Sequence, residues 1–202
     1  MREIGRIKLV QVQQSSLKAG HDHNTYYDPT PLLVVDHILV TASGVVGVAV
    51  DENCIIDIHN ANHPQSRNRG DNGLSIGFTS HYDSMRSRFG EHLEDGCAGE
   101  NIIVETDTMY SLDDLGGGLV IQKAATGEMI YFTIVEPITP CAPFSHYAAK
   151  NKEPLSSIQL KGTLQFLHRG RRGFYIEPTN LRQEVSIRAG DALFALAPAE
   201  VL

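Results

Sequence analysis

Apolar positions along the chain fall mostly in short β-branched runs cut off by glycine, proline and polar clusters, and that pattern predicts strands. Residues 4–13 interleave Ile7, Leu9, Val10 and Val12 with Arg, Lys and Gln. Residues 32–41 (LLVVDHILVT) form the clearest run, bounded by Pro31 and by Ser43-Gly44. Residues 54–58 read as a short further strand. The later candidates are 101–105, 119–123, 129–136, 174–177, 185–187 and 193–196, with turn signals at Gly116-Gly117-Gly118, Thr126-Gly127 and Ala189-Gly190-Asp191. One stretch has helical spacing: Tyr82, Met85 and Phe89 share a face of a helix over residues 80–89. Thr79 or Ser80 can cap its start and Gly90 suits its end. Residues 145–150 suit a short helical turn.

Two polar stretches interrupt the pattern, residues 20–31 and 59–77 (HNANHPQSRNRGDNGLSIG), and a loop as long as the second is usually functional or mobile. There is no internal repeat, low-complexity tract or linker. One domain over residues 1–202 is therefore expected, mainly β, as a barrel or sandwich with a few short helices.

Composition narrows the function classes. Of 202 residues, 42% are hydrophobic and 20% charged, so the chain buries a real core and is too poor in charge for disorder. Tryptophan is absent. The 17 basic and 24 acidic residues give a net charge of −7, which repels a phosphate backbone. Nucleic acid is thus disfavoured as a partner, whereas a local site for one small anion is allowed. After Met1 come Arg2, Glu3 and Arg6 rather than an apolar signal segment, and no apolar run is long enough to span a bilayer. A soluble cytoplasmic protein without a membrane partner is expected. Its three cysteines, an odd number, read as reduced thiols.

Candidate chemistry centres on Cys141, in Thr139-Pro140-Cys141-Ala142-Pro143-Phe144 directly after a strand. Two prolines fix the backbone around it, so its sulfur is well placed for presentation. The alternative is a buried cysteine acting as a small hydrophobe. That second reading is the expectation for Cys54, and also for Cys97, where a flexible loop thiol is the rival. In Gly96–Ile102 (GCAGENI), Glu100 and Asn101 face opposite sides as they enter a strand, so one can face a site while the other caps a turn. The alternative is a plain turn-to-strand junction. Arg169, Arg171 and Arg172 on a glycine-rich loop can fork onto phosphate or carboxylate oxygens, and Arg67 and Arg69 can add to them. The alternative is a solvated turn.

The histidines give weaker signals. His59 and His63 stand four apart, like a helical metal pair. Pro64 pushes His63 off helical geometry, and loop histidines without metal are expected. His21 and His23 flank Asp22. His81 reads as either a site residue or a surface one. No P-loop, dinucleotide fingerprint, CxxC or G-x-S-x-G elbow is present.

Taken in order, HYDSMRSRFG (His81–Gly90), GENI (Gly99–Ile102), Pro140-Cys141, GRRGFYIEP (Gly170–Pro178) and AGDALFAL (Ala189–Leu196) resemble the MOSC domain, named after the C-terminal part of molybdenum cofactor sulfurase. The resemblance covers roughly the second two-thirds of the chain. It implies a MOSC-type β-barrel, with Cys141 as a sulfur carrier or as a ligand to molybdenum. In the reductase members, which reduce N-hydroxylated compounds, the matching cysteine ligates the metal. The molybdenum cofactor would then be lined by Glu100, Asn101 and the Arg169–Arg172 group. Many stand-alone relatives have a His-Gly-Gly motif where this chain has the longer 59–77 segment. Three readings follow. A cofactor-binding oxidoreductase would need a separate redox protein. A persulfide carrier would need a separate sulfur-donor protein. A non-catalytic barrel would bind a small anion or a partner, with Cys141 structural.

Overall fold

The structure is a computed structural model and describes residues 1–21, 24–66, 73–150, 154–179 and 181–197. In chain order the strands are β1 (Arg2–Gln13), β2 (Lys18–Ala19), β3 (Tyr26–Tyr27), β4 (Leu32–Val35), β5 (His37–Thr41), β6 (Gly44–Val48), β7 (Cys54–Ile56), β8 (Ser75–Phe78), β9 (Ile102–Glu105), β10 (Leu119–Gln122), β11 (Met129–Pro137), β12 (Phe174–Pro178), β13 (Val185–Arg188) and β14 (Ala192–Ala195). The helices are α1 (Thr79–Phe89), α2 (Leu112–Leu115), α3 (Ala142–Ala149) and α4 (Ser157–Leu167).

The long strand β1 organises the sheet. Its first residues pair with β14, its middle with β9 and its end with β4, all antiparallel. From β14 the sheet runs through β10, β11, β12, β8 and β9 back to β1, and the β1–β14 pairing closes it into a barrel. Closure leaves these strands without open edges. The β8–β9 pair is parallel. A second sheet, ordered β13-β5-β6-β7, packs beside the barrel. Among the described residues, no helix is long and apolar enough to cross a membrane.

Side-chain alternation explains the two cores. Ile76, Phe78, Ile102, Val104, Phe174 and Leu193 point into the barrel. On β9, Ile103 points the other way and packs with Tyr82, Met85, Phe144 and Leu167 beneath the helices. Both faces of β9 are buried, so the strand reads IIVE rather than alternating with polar residues.

Several expectations change in detail. Residues 32–41 do not form one strand: the chain breaks at the exposed Asp36, leaving β4 on the barrel sheet and β5 in the second sheet. A β-branched run predicts extended backbone, but not which sheet each half joins. The expected N-cap on α1 is absent, whereas Gly90 stands at its C-cap with its N–H donating to Arg86 O. Thr79 Oγ1 donates to Thr106 O, Ser80 Oγ donates to Thr108 O, and Phe78 stands at the N-cap without a side-chain bond. Cys54 is exposed rather than buried, because β7 is the edge strand of its sheet. Helix α4 carried an overlooked signal: Ser156 and Gln159 form a capping box, with Ser156 Oγ accepting from Gln159 N.

A buried polar hub ties the barrel together. Asn101 Nδ2 donates to Gln11 O at 3.2 Å and to Asp57 Oδ2 at 3.1 Å, and its Oδ1 accepts from Ser75 N at 3.2 Å. Asp57 Oδ2 also accepts from Gln13 N at 2.8 Å. Asp57 is fully buried and Asn101 nearly so. Removing the amide leaves these donors and acceptors unmatched away from water. Asn101→Ala is therefore expected to cost about 2–4 kcal/mol in denaturant-induced unfolding. Asn101→Asp should cost more, because it sets a second carboxylate against Asp57.

Candidate functional site

Strand β11 leaves the barrel at Pro137, and Ile138 N donates to Gly173 O at 2.9 Å, fixing its exit beside the 170–173 segment. Pro140 and Pro143 then bracket Cys141 at the N-cap of α3, where its backbone is extended (φ −120°, ψ 157°). Proline suits the first helical turn, so the helix starts at once. Cys141 O accepts from Ser145 N at 3.0 Å and from Ser145 Oγ at 2.9 Å. The sulfur is half-buried on the wall of a cavity of about 800 Å³ that is also lined by Lys18, Tyr27, His59, Arg172 and Tyr175.

Arg172 is buried, and two contacts hold it. Its guanidinium lies 4.0 Å from the centroid of the Phe144 ring, and Nη2 donates to Ala98 O at 2.6 Å. Burial alone would lower its pKa, but the fields of Tyr27, Glu100, Cys141 and Tyr82 outweigh burial and raise it. Its Nε has no protein partner. Arg172 and the α3 N-terminus therefore bring positive charge to the cavity that Cys141 lines. No Asp or Glu lines this cavity among the described residues.

Glu100 lies within the wall, one residue beyond the lining Gly99. Tyr82 Oη donates to its Oε2 at 2.5 Å, and Oε1 has no partner. Burial raises its pKa, and the Arg172 charge offsets part of that rise. Two glycines make room for its side chain. A Cβ on Gly173 (φ 82°) would lie 2.4 Å from Ile76 O and 3.0 Å from Glu100 Cγ, and one on Gly77 would lie 3.2 Å from Glu100 Cδ.

Asp57 links the polar hub to the opposite wall. Its Oδ1 accepts from His59 N at 2.8 Å and from His59 Nδ1 at 2.9 Å. This contact with Asp57 orients the His59 ring on the cavity wall. Tyr27 Oη donates to Cys97 O at 2.9 Å, and the Tyr27 ring packs edge-on to Phe144. Burial pushes the Cys97 thiol up to about 12, so this cysteine stays protonated and structural.

The expected site residues thus separate. Cys141 and Arg172 share the cavity, and Glu100 lies behind it. Asn101 spends its amide on the hub. Arg169 and Arg171 line a different cavity. Arg67, Arg69 and His23 lie outside the described residues. His63 joins no metal pair: its Nδ1 accepts from Gln65 N, and its Nε2 meets Gln14 O at 3.2 Å. Among the described residues, no cluster of His, Cys, Asp or Glu could hold a metal ion. Two site residues escaped the sequence reading, Tyr27 and Asp57, the partner of His59. The second had a local signal, an aspartate two residues before the backbone N–H it accepts from. His81 is buried rather than on the surface.

The family model for the MOSC domain matches residues 63–194. Among solved structures, the chain is similar to the YUAD protein from Bacillus subtilis, at 13% identity over 96% of both chains with a TM-score of 0.57. It is also similar to a hypothetical protein, at 13% identity over 98% of this chain and 70% of the other, with a TM-score of 0.51. At that identity both likenesses concern the fold alone. No curated protein matches the chain.

His81 gives a pH test. Burial pushes it down to about 4; hydrogen bonding to the Tyr110 and Gly170 backbone opposes this, and Arg171 adds to it. The folded chain thus keeps His81 neutral, while the unfolded chain protonates it below its ordinary value near 6.5. The stability contribution is complete above pH 6.5 and is lost as the pH falls toward 4. Between pH 6.5 and 5 the loss should be about 1.5 kcal/mol. Denaturant unfolding of His81→Gln should lack that component.

Proposed function

We propose, because the chain belongs to the MOSC domain family, that it binds a molybdenum cofactor in the Cys141 cavity and acts as an oxidoreductase on N-hydroxylated compounds. The observation that carries this reading is the cavity lining: a cysteine sulfur, the buried cation Arg172, the exposed cation Lys18 and, among the described residues, no carboxylate, in a chain of net charge −7. Such a lining attracts an anionic ligand. A thiolate is a soft donor suited to the metal, and about 800 Å³ falls in the range of cofactor sites. A single thiolate does not hold a bare metal ion, so the metal must bring its own further ligands. The orphaned Arg172 Nε marks a donor available to a bound group.

In this reading, Cys141 would ligate the metal, and Arg172 and Lys18 would hold the cofactor phosphate. When bound, the cofactor supplies two-electron redox chemistry. Reducing an N-hydroxyl group to an amine and water also consumes two protons. His59, oriented by Asp57 on the cavity wall, would deliver one. The electrons would come from a separate redox protein. The charge around Cys141 equally suits a persulfide, loaded by a separate donor protein, and this gives the second reading.

Molybdenum content decides between the two. Protein purified from a host that makes the cofactor should contain about one molybdenum per chain, and Cys141→Ala should contain almost none. Wild-type protein without molybdenum would overturn the cofactor reading. Rapid alkylation of Cys141 at neutral pH would then favour the persulfide reading, and a sluggish thiol would count against both.

A further inference from the structure

The basic segment sends its arginines in two directions. Arg172 turns into the Cys141 cavity, whereas His168, Arg169 and Arg171 line a separate cavity of about 560 Å³ with His81 and Ser111. The two cavities have no lining residue in common.

Cations crowd this second cavity. The guanidinium of Arg171 stacks on Phe166 at 4.4 Å, and its Nη1 donates to Phe166 O at 2.6 Å. Arg88 stacks on the same ring at 4.3 Å. Burial and then repulsion from Arg88 and Arg169 lower the Arg171 pKa. Among the described residues, Arg88, Arg169 and Arg171 make no salt bridge. Asp114 also lines the cavity, but its Oδ2 accepts from Ser111 N at 2.8 Å and from Ser111 Oγ at 2.6 Å, as a helix cap. Among the described lining residues Asp114 is the one carboxylate, so against Arg169 and Arg171, with Arg88 beside them, positive charge stays in excess, and an anionic ligand would balance it.

Two buried donors are unmatched here as well. Arg171 Nε has no partner. Tyr110 N donates to His81 Nε2 at 3.1 Å, which puts the imidazole proton on Nδ1. His81 is 1% exposed, and its Nδ1 makes no hydrogen bond of normal geometry, although the Gly170 carbonyl lies near enough to favour its proton. Arg169 adopts the left-handed region (φ 61°), which a non-glycine residue rarely holds without a reason.

We propose that this cavity is a second binding site, for a small molecule bearing a phosphate or carboxylate group, with Arg169 and Arg171 gripping the oxyanion and His81 closing the floor. Its volume suits a metabolite-sized ligand rather than a bare ion. The site does not depend on the chemistry proposed for Cys141.

The test is calorimetric titration of the whole chain at low salt with inorganic phosphate and, separately, with citrate. At least one should bind, and whichever it is assigns the head group. Arg169→Gln and Arg171→Gln should each weaken that binding by about tenfold, the effect of one charge-assisted contact. Lys161→Gln, an exposed cation that lines neither cavity, should not weaken it. The imidazole nitrogen resonances of His81 should shift on binding in the wild type. Arg169 is exposed, so its variant should fold even if the Arg171 variant does not. Absence of binding by both anions would overturn the proposal. Binding that survives Arg169→Gln undiminished, or that Lys161→Gln weakens as much, would do the same.

Discussion

The hydrogen bond between Asn101 and Asp57 is the contact on which the rest of the site depends. It joins the start of β9 to the turn after β7, and the same two side chains reach β1 and β8. Both are buried, so each bond resists competition from water and each lost partner is costly. Gln11 extends the arrangement: its Nε2 donates to Gly96 O and Glu100 O, holding the loop before β9. That loop supplies Ala98, whose carbonyl fixes Arg172, and Gly99, which lines the cavity. The polar hub therefore sets the positions of His59 and Arg172 together.

Electrostatic design in the cavity runs against the charge of the chain. The acids outnumber the bases overall, yet the carboxylate nearest the cavity is withdrawn into the wall, and its pKa is raised by burial. Burying a guanidinium is costly, and Phe144, the Ala98 carbonyl and the surrounding oxygen and sulfur groups offset that cost. The result is a fixed cation beside a cysteine at a helix N-terminus, positioned before any ligand arrives. Preorganisation of this kind lets binding avoid the cost of ordering the charge.

A short glycine-rich segment serves two sites because backbone geometry alternates its side chains. Gly170 and Gly173 take positive φ, and between them Arg171 turns to the Phe166 side while Arg172 turns to Phe144. A Cβ on Gly170 would lie 2.2 Å from the Phe174 ring, so the close approach of this loop to the barrel requires glycine.

Hydrophobic patterning by itself determined that this chain is strand-rich with few helices, and left barrel and sandwich both open, because alternation and β-branching act locally and survive in any tertiary context. It also determined α1, and it singled out Cys141 through the two prolines that stiffen its backbone. The break at Asp36 was not legible, because extended backbone is the same in either sheet. Nor was the division of Arg169, Arg171 and Arg172 between two cavities, or the use of Asn101 as scaffold rather than lining. Those outcomes rest on contacts between residues far apart in sequence, such as Asn101 with Asp57 and Arg172 with Ala98. Only the closed barrel brings such groups within hydrogen-bonding reach, and only burial there makes their pairing decisive.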